Sequence, residues 1–332
     1  MSTTATAATN RRVRHLSQEQ IIGLLVLALV VTFSVLLDGF STTDNLLNLV
    51  RSVSALGILS VGMAIVVIAR GMDLSLIASM GVGAAVTIQL LRGDSSLAAA
   101  LLVGLAIVIG MGLINGFLIA FVEVPALFAT LASGLFVYGF ARSFVLDGLI
   151  AELPADDTFI RGVGQGTLLG IPWPVIVFVV VAGSAQFFLT RTRWGRFIYA
   201  HGDNAGASRL TGIATRPYTM LEYVLSAVIG FIGGIVTAGS VGGFNTQVID
   251  GSLIYDVLLV VVVGGISLVG GRGSILSVVA GTALIGVMLN GMTILNLNTH
   301  QQDIVKGLIL LGALVLDNRL HPRDEETVRQ GD

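Results

Sequence analysis

The sequence predicts an all-α, polytopic membrane protein with about ten transmembrane helices and both termini in the cytoplasm. Of its 332 residues, 54% are hydrophobic and 11% are charged, whereas roughly a quarter of the residues of a soluble protein are charged. The apolar runs are continuous and approach the length of about 20 residues that a spanning helix needs, without the alternation of an outer-membrane barrel. The 42 glycines favour close packing between such helices.

Ten apolar runs are the candidate spans. In chain order they cover approximately residues 21–37, 53–69, 74–91, 98–122, 126–146, 172–189, 220–238, 253–269, 275–295 and 304–316. The polar start of the chain carries Arg11, Arg12 and Arg14, a pattern also found at the start of signal peptides. Because no small-residue cleavage site follows, the first run is expected to be an uncleaved span.

The distribution of basic residues predicts the topology, because Lys and Arg concentrate in cytoplasmic loops. With the N-terminus inside, 13 of the 18 basic residues fall on the cytoplasmic side. The predicted organisation is a cytoplasmic tail (1–20), a transmembrane domain (21–317) and a second cytoplasmic tail (318–332). Within the transmembrane domain, an acidic periplasmic loop covers 147–171 and a basic cytoplasmic loop covers 190–217.

The composition excludes several classes of function. A net charge of −2 argues against nucleic-acid binding, which depends on basic surface. The only lysine, Lys306, lies in IVKGLI rather than in a Walker A motif, so any ATP must be bound by another chain. The glycine-rich segment 264–274 lacks the strand and lysine of a phosphate-binding loop and is predicted to be a turn. With no cysteine, no catalytic triad and no zinc pattern, we expect neither an enzyme nor a cofactor or metal of its own.

Two acidic residues within or beside the apolar runs are candidates for the translocation pathway. Asp73, in RGMDLSLIAS, faces a polar pathway or caps the third helix, and the cap is favoured. Arg70 is its ion partner or an anchor on the cytoplasmic side. Asp256, four residues into its run, lines a polar cavity or lies near the outer interface, and the two interpretations weigh equally.

Amides form the second group of candidates. Asn245 and Gln247, in the outer segment GGFNTQVIDGS, offer hydrogen bonds suited to a polyol, although an ordinary solvated loop is favoured. Asn115 and Asn290 lie inside spans. We expect them to bridge helices rather than to bind a solute, because amide bonds between membrane helices are common.

The loop 190–217 carries a short helical signal. Asn204 is a good N-cap and Gly212 a good C-terminal stop. Between them, Ala207 and Leu210 are spaced i, i+3, which gives the helix a small apolar face. The pattern has the shape of a helix that docks in a partner's groove.

Three segments resemble the permease subunits of bacterial ATP-binding-cassette (ABC) importers for ribose and related simple sugars. They are RGMDLSLIAS (70–79), TRWGRFIYAHGDNAGASRLTGI (192–213) and GGISLVGGRGSILSVVAGTALIGVMLNG (264–291). A weaker likeness covers GLINGFLIAFVEVPALFATLASG (112–134). The motifs are specific when taken together.

The resemblance implies a permease in the bacterial inner membrane that pairs with a second permease copy. Its other partners would be a cytoplasmic ABC ATPase, which binds ATP and Mg, and a periplasmic substrate-binding protein. The implied ATPase-coupling residues are Gly195, Arg196, Tyr199, Gly202, Asn204, Ala207, Leu210 and Gly212. The candidate residues of the translocation pathway are Asp73, Ser75, Asn115, Asn245, Gln247, Asp256 and Asn290.

The chain departs from this family at several positions. Arg70 replaces the first glycine of its G-G-I-D-L-S motif, and Ile77 and Ala78 replace a later Gly-Ser pair. The turn around Asp73 is therefore bulkier and less polar than usual. Asp203 replaces a glycine beside Asn204, which leaves the helix cap intact.

Two other interpretations remain open. One is a permease of the same class for branched-chain amino acids, nucleosides or a signalling sugar, since a separate binding protein would set most of the specificity. The other is a gradient-driven secondary transporter, which would place several paired acids or histidines within its spans. Only Asp73, Glu222 and Asp256 are plausible acids of that kind.

Overall fold

The computed structural model describes residues 18–157, 159–212 and 214–320. Most of the two predicted tails, including Arg11, Arg12 and Arg14, lies outside the described residues. The helices are α1 (Gln18–Leu36), α2 (Thr43–Ile68), α3 (Leu76–Arg92), α4 (Leu97–Ala120), α5 (Ala126–Phe144), α6 (Phe159–Gln165), α7 (Trp173–Arg191), α8 (Arg193–Asp203), α9 (Ala205–Leu210), α10 (Thr215–Val241), α11 (Leu253–Val263), α12 (Ile275–Ile294) and α13 (Thr299–Leu320).

Short strands form two antiparallel ribbons outside the helical bundle. Strand β1 (Ile150–Glu152) pairs with β4 (Gly243–Asn245), and β2 (Thr167–Leu168) pairs with β3 (Ile171–Pro172). A 3₁₀ helix, Thr246–Asp250, follows β4 directly. The predicted loop 147–171 thus has secondary structure of its own, but the bundle itself is helical.

Among the described residues, seven helices are long and apolar enough to cross a membrane. They are α1, α2, α4, α5, α7, α10 and α12. Helices α3 and α11 are apolar but shorter. The prediction of a helical, multi-pass membrane protein is therefore confirmed.

Helix α10 is the centre of the bundle and packs against α2, α3 and α4. Glycines permit this close approach. A Cβ atom added to Gly112 of α4 would lie 2.7 Å from the Cα atom of Val224, and one added to Gly116 would lie 2.5 Å from that of Met220. Helix α1 lies at the periphery, mainly against α12, and buries only Ile22.

Contacts between the loops define two ends of the bundle. At one end, which we call the junction end, the Gly271 amide donates to the Ile68 carbonyl at the end of α2 (2.7 Å). The start of α1 lies at this end too, because the Ser277 hydroxyl donates to Glu19 (3.0 Å). The end of α13 joins them, since the Ser267 hydroxyl donates to its Asp317 (3.4 Å). The opposite end carries α6, both ribbons and the 3₁₀ helix.

Two segments differ from the predicted helices. The apolar run 253–269 is helical only as far as Val263, where α11 ends, and the turn predicted for 264–274 follows it. Gly265, Gly270 and Gly271 there have φ between +71° and +88°, a conformation that no α-helix uses. Helix α8 was not predicted, because its apolar residues are interspersed with Arg, Gly and His.

Candidate functional site

The loop 190–217 contains two capped helices at the junction end. The Thr192 hydroxyl accepts a hydrogen bond from the Gly195 amide at the start of α8 (3.1 Å). The Asn204 side chain accepts one from the Ala207 amide at the start of α9 (2.8 Å). Gly212 follows α9 with φ +79°, which suits glycine. The predicted short helix between Asn204 and Gly212 is confirmed.

Helix α8 meets two other segments through backbone contacts, at a place that we call the glycine junction (Ile68, Gly202, Gly270 and Gly271). A Cβ atom added to Gly202 would lie 1.9 Å from the Ile68 carbonyl oxygen and 2.7 Å from the Gly271 nitrogen. One added to Gly270 would lie 2.8 Å from the Cβ of Arg70. The segments that carry the family resemblance therefore touch each other here, with no side chain between their backbones.

Two further contacts hold α8 in place. A Cβ atom on Gly195 would lie 2.3 Å from the carbonyl oxygen of Leu189 in α7. The Tyr199 hydroxyl donates to the Gly273 carbonyl (2.8 Å). Burial raises the pKa of the Tyr199 phenol, so it stays protonated and available as a donor. Helix α8 is thus fixed against both α7 and the segment 264–274.

The other predicted coupling residues face outward. Arg196 and Ala207 are exposed, and the Leu210 side chain at the end of α9 is 91% exposed. The set therefore divides into residues that hold the loop to the bundle and residues that present a surface. An exposed leucine on a capped helix is available for a contact outside this chain.

The loop after the glycine junction leads to a buried polar cluster. The Asp73 carboxylate accepts from both the amide (3.0 Å) and the hydroxyl (2.6 Å) of Ser75. The Asn115 side chain of α4 donates to the same hydroxyl (2.8 Å). The Thr130 hydroxyl of α5 accepts from the Leu74 amide (3.1 Å). Asp73 therefore holds the turn before α3 and, through Ser75, ties it to α4. It is not the helix cap favoured from the sequence, because the N-cap of α3 is Ser75 and no side chain caps the first turn.

Arg70 does not pair with Asp73. It is exposed, whereas Asp73 is 1% exposed, and the ion pairs of the described residues do not include them. Arg70 also has φ +69°, in the left-handed region where a glycine is unstrained. Of the two interpretations weighed for Arg70, the ion partner of Asp73 is wrong, and the cytoplasmic anchor stays a prediction.

The remaining candidates lie elsewhere. Asn290 exchanges amide hydrogen bonds with Asn45 of α2 (2.8 and 3.1 Å). Asn245 ends β4, and its side chain accepts from the Gln247 amide in an exposed turn (3.0 Å). Asp256 pairs with Lys306 of α13 (2.8 Å). None of these residues lies with Asp73 in the polar cluster.

Sequence reasoning missed the ion pairs of Lys306. This residue, the only lysine of the chain, joins α13 to α11 through Asp256 and also pairs with Asp303 within α13 (2.9 Å). Glu222, which the sequence had indicated as an acid within a span, and its neighbour Tyr223 are almost wholly buried in α10, at 2% and 1% exposure. A charged residue in an apolar run was the available signal for Lys306. In the described part of the chain, no group of three or more His, Cys, Asp or Glu side chains could hold a metal ion.

Comparison with known proteins gives a consistent result. Residues 45–314 match the family described as "branched-chain amino acid transport system / permease component". The ribose import permease protein RbsC of Escherichia coli K12 is 30% identical over 305 residues, covering 92% of this chain and 94% of that protein. RbsC of Bacillus subtilis 168 is 31% identical over 90% of this chain and 91% of its own. The L-arabinose transport system permease protein AraH of E. coli K12 is 32% identical over 89% of each chain.

No solved structure matches the chain. The family match covers all three segments that meet at the glycine junction and the Asp73 cluster behind it. The relatives align over about nine tenths of this chain and of their own. The resemblance to ribose-type permeases is confirmed, and the chain belongs to the family of branched-chain amino acid transport system permease components.

Proposed function

We propose that this permease is the transmembrane subunit of an ABC importer, which moves a simple sugar or sugar-like solute across the bacterial inner membrane after delivery by a periplasmic binding protein. The observation that carries the proposal is the glycine junction, because it connects a protruding loop to the buried polar cluster through backbone contacts. The relatives named for ribose and L-arabinose support a sugar as the solute.

The proposed topology has ten spans, with both termini and the junction end in the cytoplasm. The spans are α1, α2, α3, α4, α5, α7, α10, α11, α12 and α13, which run alternately between the two ends. Eight arginines of the described residues support this orientation, because they lie at the junction end and basic residues concentrate inside. They are Arg70, Arg191, Arg193, Arg196, Arg209, Arg216, Arg272 and Arg319.

The proposed partners follow from which surfaces are exposed. A cytoplasmic ATPase subunit, which would bind ATP and Mg, receives α9 with Leu210 in a groove. The periplasmic binding protein docks on the opposite end, where the ribbons and Gln247 are exposed. A second permease copy completes the pathway between the two subunits. This chain would break no bond and hold no cofactor.

The proposed mechanism is a displacement of α8 and α9 that the bundle has to follow. Closure of the ATPase subunits moves α9, and α8 moves with it through the Asn204 cap. Because Gly202 touches the backbone of Ile68 and Gly271 directly, no side chain can rotate to absorb the movement. The ends of α2 and α11 and the loop to Asp73 are shifted, and the pathway opens inward as one of two discrete states.

Asp73, Ser75 and Asn115 are the strongest pathway candidates, because they lie directly behind the glycine junction. The Asn115 Oδ1 atom is buried without a hydrogen-bond partner, so the cluster has hydrogen-bonding capacity left for a solute hydroxyl. Asn290 and Asp256 are better explained as bridges between helices. Asn245 and Gln247, in an exposed turn at the opposite end, are proposed to lie at the outer entrance.

A branched-chain amino acid is the second candidate solute, and the description of the matching family favours it. Thermal-shift screening of the cognate binding protein separates the two. Stabilisation by pentoses, hexoses or polyols is the expected result. Stabilisation by amino acids alone would overturn the sugar assignment.

Reconstitution tests the importer class. The permease is placed in liposomes with the ATPase and binding protein encoded beside it. Uptake of labelled sugar should require both proteins and ATP. Uptake by the permease alone, driven by an ion gradient, would contradict the proposal.

Leu210→Asp tests the docking surface. The substitution should abolish co-purification of the ATPase subunit while membrane insertion is kept, because a charge would enter an apolar groove. Leu169→Asp is the matched control, since Leu169 is 95% exposed but lies at the opposite end. Equal retention of the ATPase by both variants would remove α9 as the docking helix.

A further inference from the structure

A cavity of about 290 Å³ opens at the junction end, between α9, the start of α10 and the loops that follow α2 and α4. Its walls include Arg70, His201, Arg209 and Arg216, and its inner end is formed by Glu222 and Tyr223. The volume is at the lower limit of those that hold small ligands. Neither the glycine junction nor the docking of α9 requires this space.

The charges of the cavity are not balanced. Arg216 pairs with Glu123 (3.8 Å) and lies over the Phe121 ring, 5.2 Å from its centre. Within the described part of the chain, neither Arg70 nor Arg209 has an ion pair or a hydrogen-bond partner for its guanidinium. Two exposed guanidinium groups without a partner in that part of the chain therefore line the same cavity, and such groups bind phosphate in a fork geometry.

His201 lies beside these two guanidinium groups. Burial lowers the pKa of its imidazole, and so do the positive charges of Arg209 and Arg70. Its Nδ1 atom is buried and has no hydrogen-bond partner. A neutral imidazole beside two cations can donate to or accept from a hydroxyl group, and the hydroxyls of Thr215 and Thr219 line the same cavity.

The backbone at Arg70 adds an independent observation. Its φ of +69° is unfavourable for any residue with a Cβ atom. An arginine therefore stands at a place where a glycine would relieve strain, and backbone strain of this kind is concentrated at functional sites.

We infer that this cavity binds a small phosphate monoester of a sugar or polyol from the cytoplasm, with Arg70 and Arg209 holding the phosphate and His201 holding a hydroxyl. The bound molecule would lie between α9 and the loop to Asp73 and would oppose their movement. The regulatory part of the inference rests on the proposed function. A kinase acting on the imported solute would supply such a ligand, so that uptake slows when the phosphorylated product accumulates.

Binding is measured first, on the full chain in phosphatidylcholine nanodiscs by calorimetry. Ribose 5-phosphate and inorganic phosphate are the probes, and uncharged ribose is the control. Ribose 5-phosphate should bind more tightly than inorganic phosphate, and ribose should not bind. Arg70→Gly and Arg209→Gln should each weaken binding by about tenfold or more. Arg193 is exposed on α8 and does not line the cavity, so the control variant Arg193→Gln should bind ribose 5-phosphate like the unaltered chain.

Arg70→Gly removes the charge while relieving the strained φ, so a loss of binding in this variant cannot be attributed to added backbone strain. Equal binding by Arg70→Gly and the unaltered chain would overturn the inference, and so would no binding at roughly 1 mM. Nanodiscs containing phosphatidylglycerol test a lipid headgroup as the source of the phosphate. If phosphatidylglycerol raises the melting temperature of the chain and ribose 5-phosphate does not reverse this rise, the inference would also be overturned.

Uptake is measured last, in liposomes loaded with ribose 5-phosphate. Uptake should slow for the unaltered importer and not for Arg70→Gly. Uptake that is present but insensitive to the loaded phosphate would overturn the regulatory part of this inference alone. Absence of uptake under every condition would instead count against the proposed function, and the binding result would stand separately.

Discussion

Gly202→Ala is the most direct test of the glycine junction. The added Cβ atom would lie 1.9 Å from the Ile68 carbonyl oxygen, whereas an ordinary carbon–oxygen contact is about 3.3 Å. Helix α8 must therefore move away from α2 by about 1.4 Å, because the oxygen belongs to the backbone and no torsion can move an alanine Cβ relative to its own backbone. Overpacking of this kind costs about 1–3 kcal/mol, a factor of roughly 5–150 in the population of the docked arrangement.

We expect Gly202→Ala to insert into the membrane normally and to lose most ATP-driven uptake. The ATPase should still bind, because the outer face of α9 is unchanged. The assay combines uptake of labelled solute in cells, quantification of the permease in membranes, and co-purification of the ATPase. A fall in uptake per molecule of permease, without loss of ATPase binding, identifies a defect in transmission.

Gly110→Ala is the matched control, since a Cβ atom at Gly110 of α4 meets no atom within 4 Å. It should transport like the unaltered chain. If Gly202→Ala transported as well as Gly110→Ala at equal membrane levels, direct backbone transmission at Gly202 would be refuted. A loss of both ATPase binding and uptake would also contradict the reasoning, because α9 would then have been displaced.

Three other expectations follow from single contacts. Lys306→Met leaves the Asp256 carboxylate buried without its cation and should lower the free energy of unfolding by roughly 3 kcal/mol. The double variant Lys306→Met, Asp256→Leu should largely restore the lost stability, as measured in thermal melts. Burial and the charge of Arg209 lower the pKa of His201, so its NMR titration should have a midpoint below about 6.5, and Arg209→Gln should raise it. Because the folded state favours the neutral imidazole, the stability from this group is complete above the unfolded pKa and falls as the pH drops through it. Asn290→Leu should lower the free energy of unfolding by roughly 1–2 kcal/mol without changing which solute is transported.

Each of these expectations has a contrary result. A Lys306→Met variant that melts at the unaltered temperature would mean that the ion pair adds no stability. A His201 midpoint that Arg209→Gln leaves unchanged would mean that the guanidinium does not act on the imidazole. Altered solute preference in Asn290→Leu, at unchanged expression, would return Asn290 to the pathway.

The sequence was informative wherever a local rule applied. Asn204 and Gly212 bracket α9 because capping depends on a few neighbouring residues. The class of protein followed from continuous apolar runs, which only helices can satisfy in lipid. The run 253–269 extends too far at its C-terminal end, but the turn predicted for 264–274 is present, and Gly265, Gly270 and Gly271 within it have positive φ.

The partners of polar residues were harder to predict. Asn115 and Asn290 are both amides in apolar spans, yet one joins the Asp73 cluster and the other pairs with Asn45. Asp256 and Lys306 are 50 residues apart in the chain and still form an ion pair. The identity of a partner depends on which helices are adjacent, and periodicity within one helix does not contain that information.

The sequence alone determined that this protein is a helical membrane protein and that it resembles sugar permeases, because both conclusions depend on local composition and on motifs. Only the tertiary structure placed Gly202, Ile68 and Gly271 at one backbone contact and brought Arg70 and Arg209, which have no partner among the described residues, to one cavity. Those features arise from distances between segments far apart in the chain. They are fixed by helix packing, which depends on the volume of every side chain in the interface rather than on any single motif.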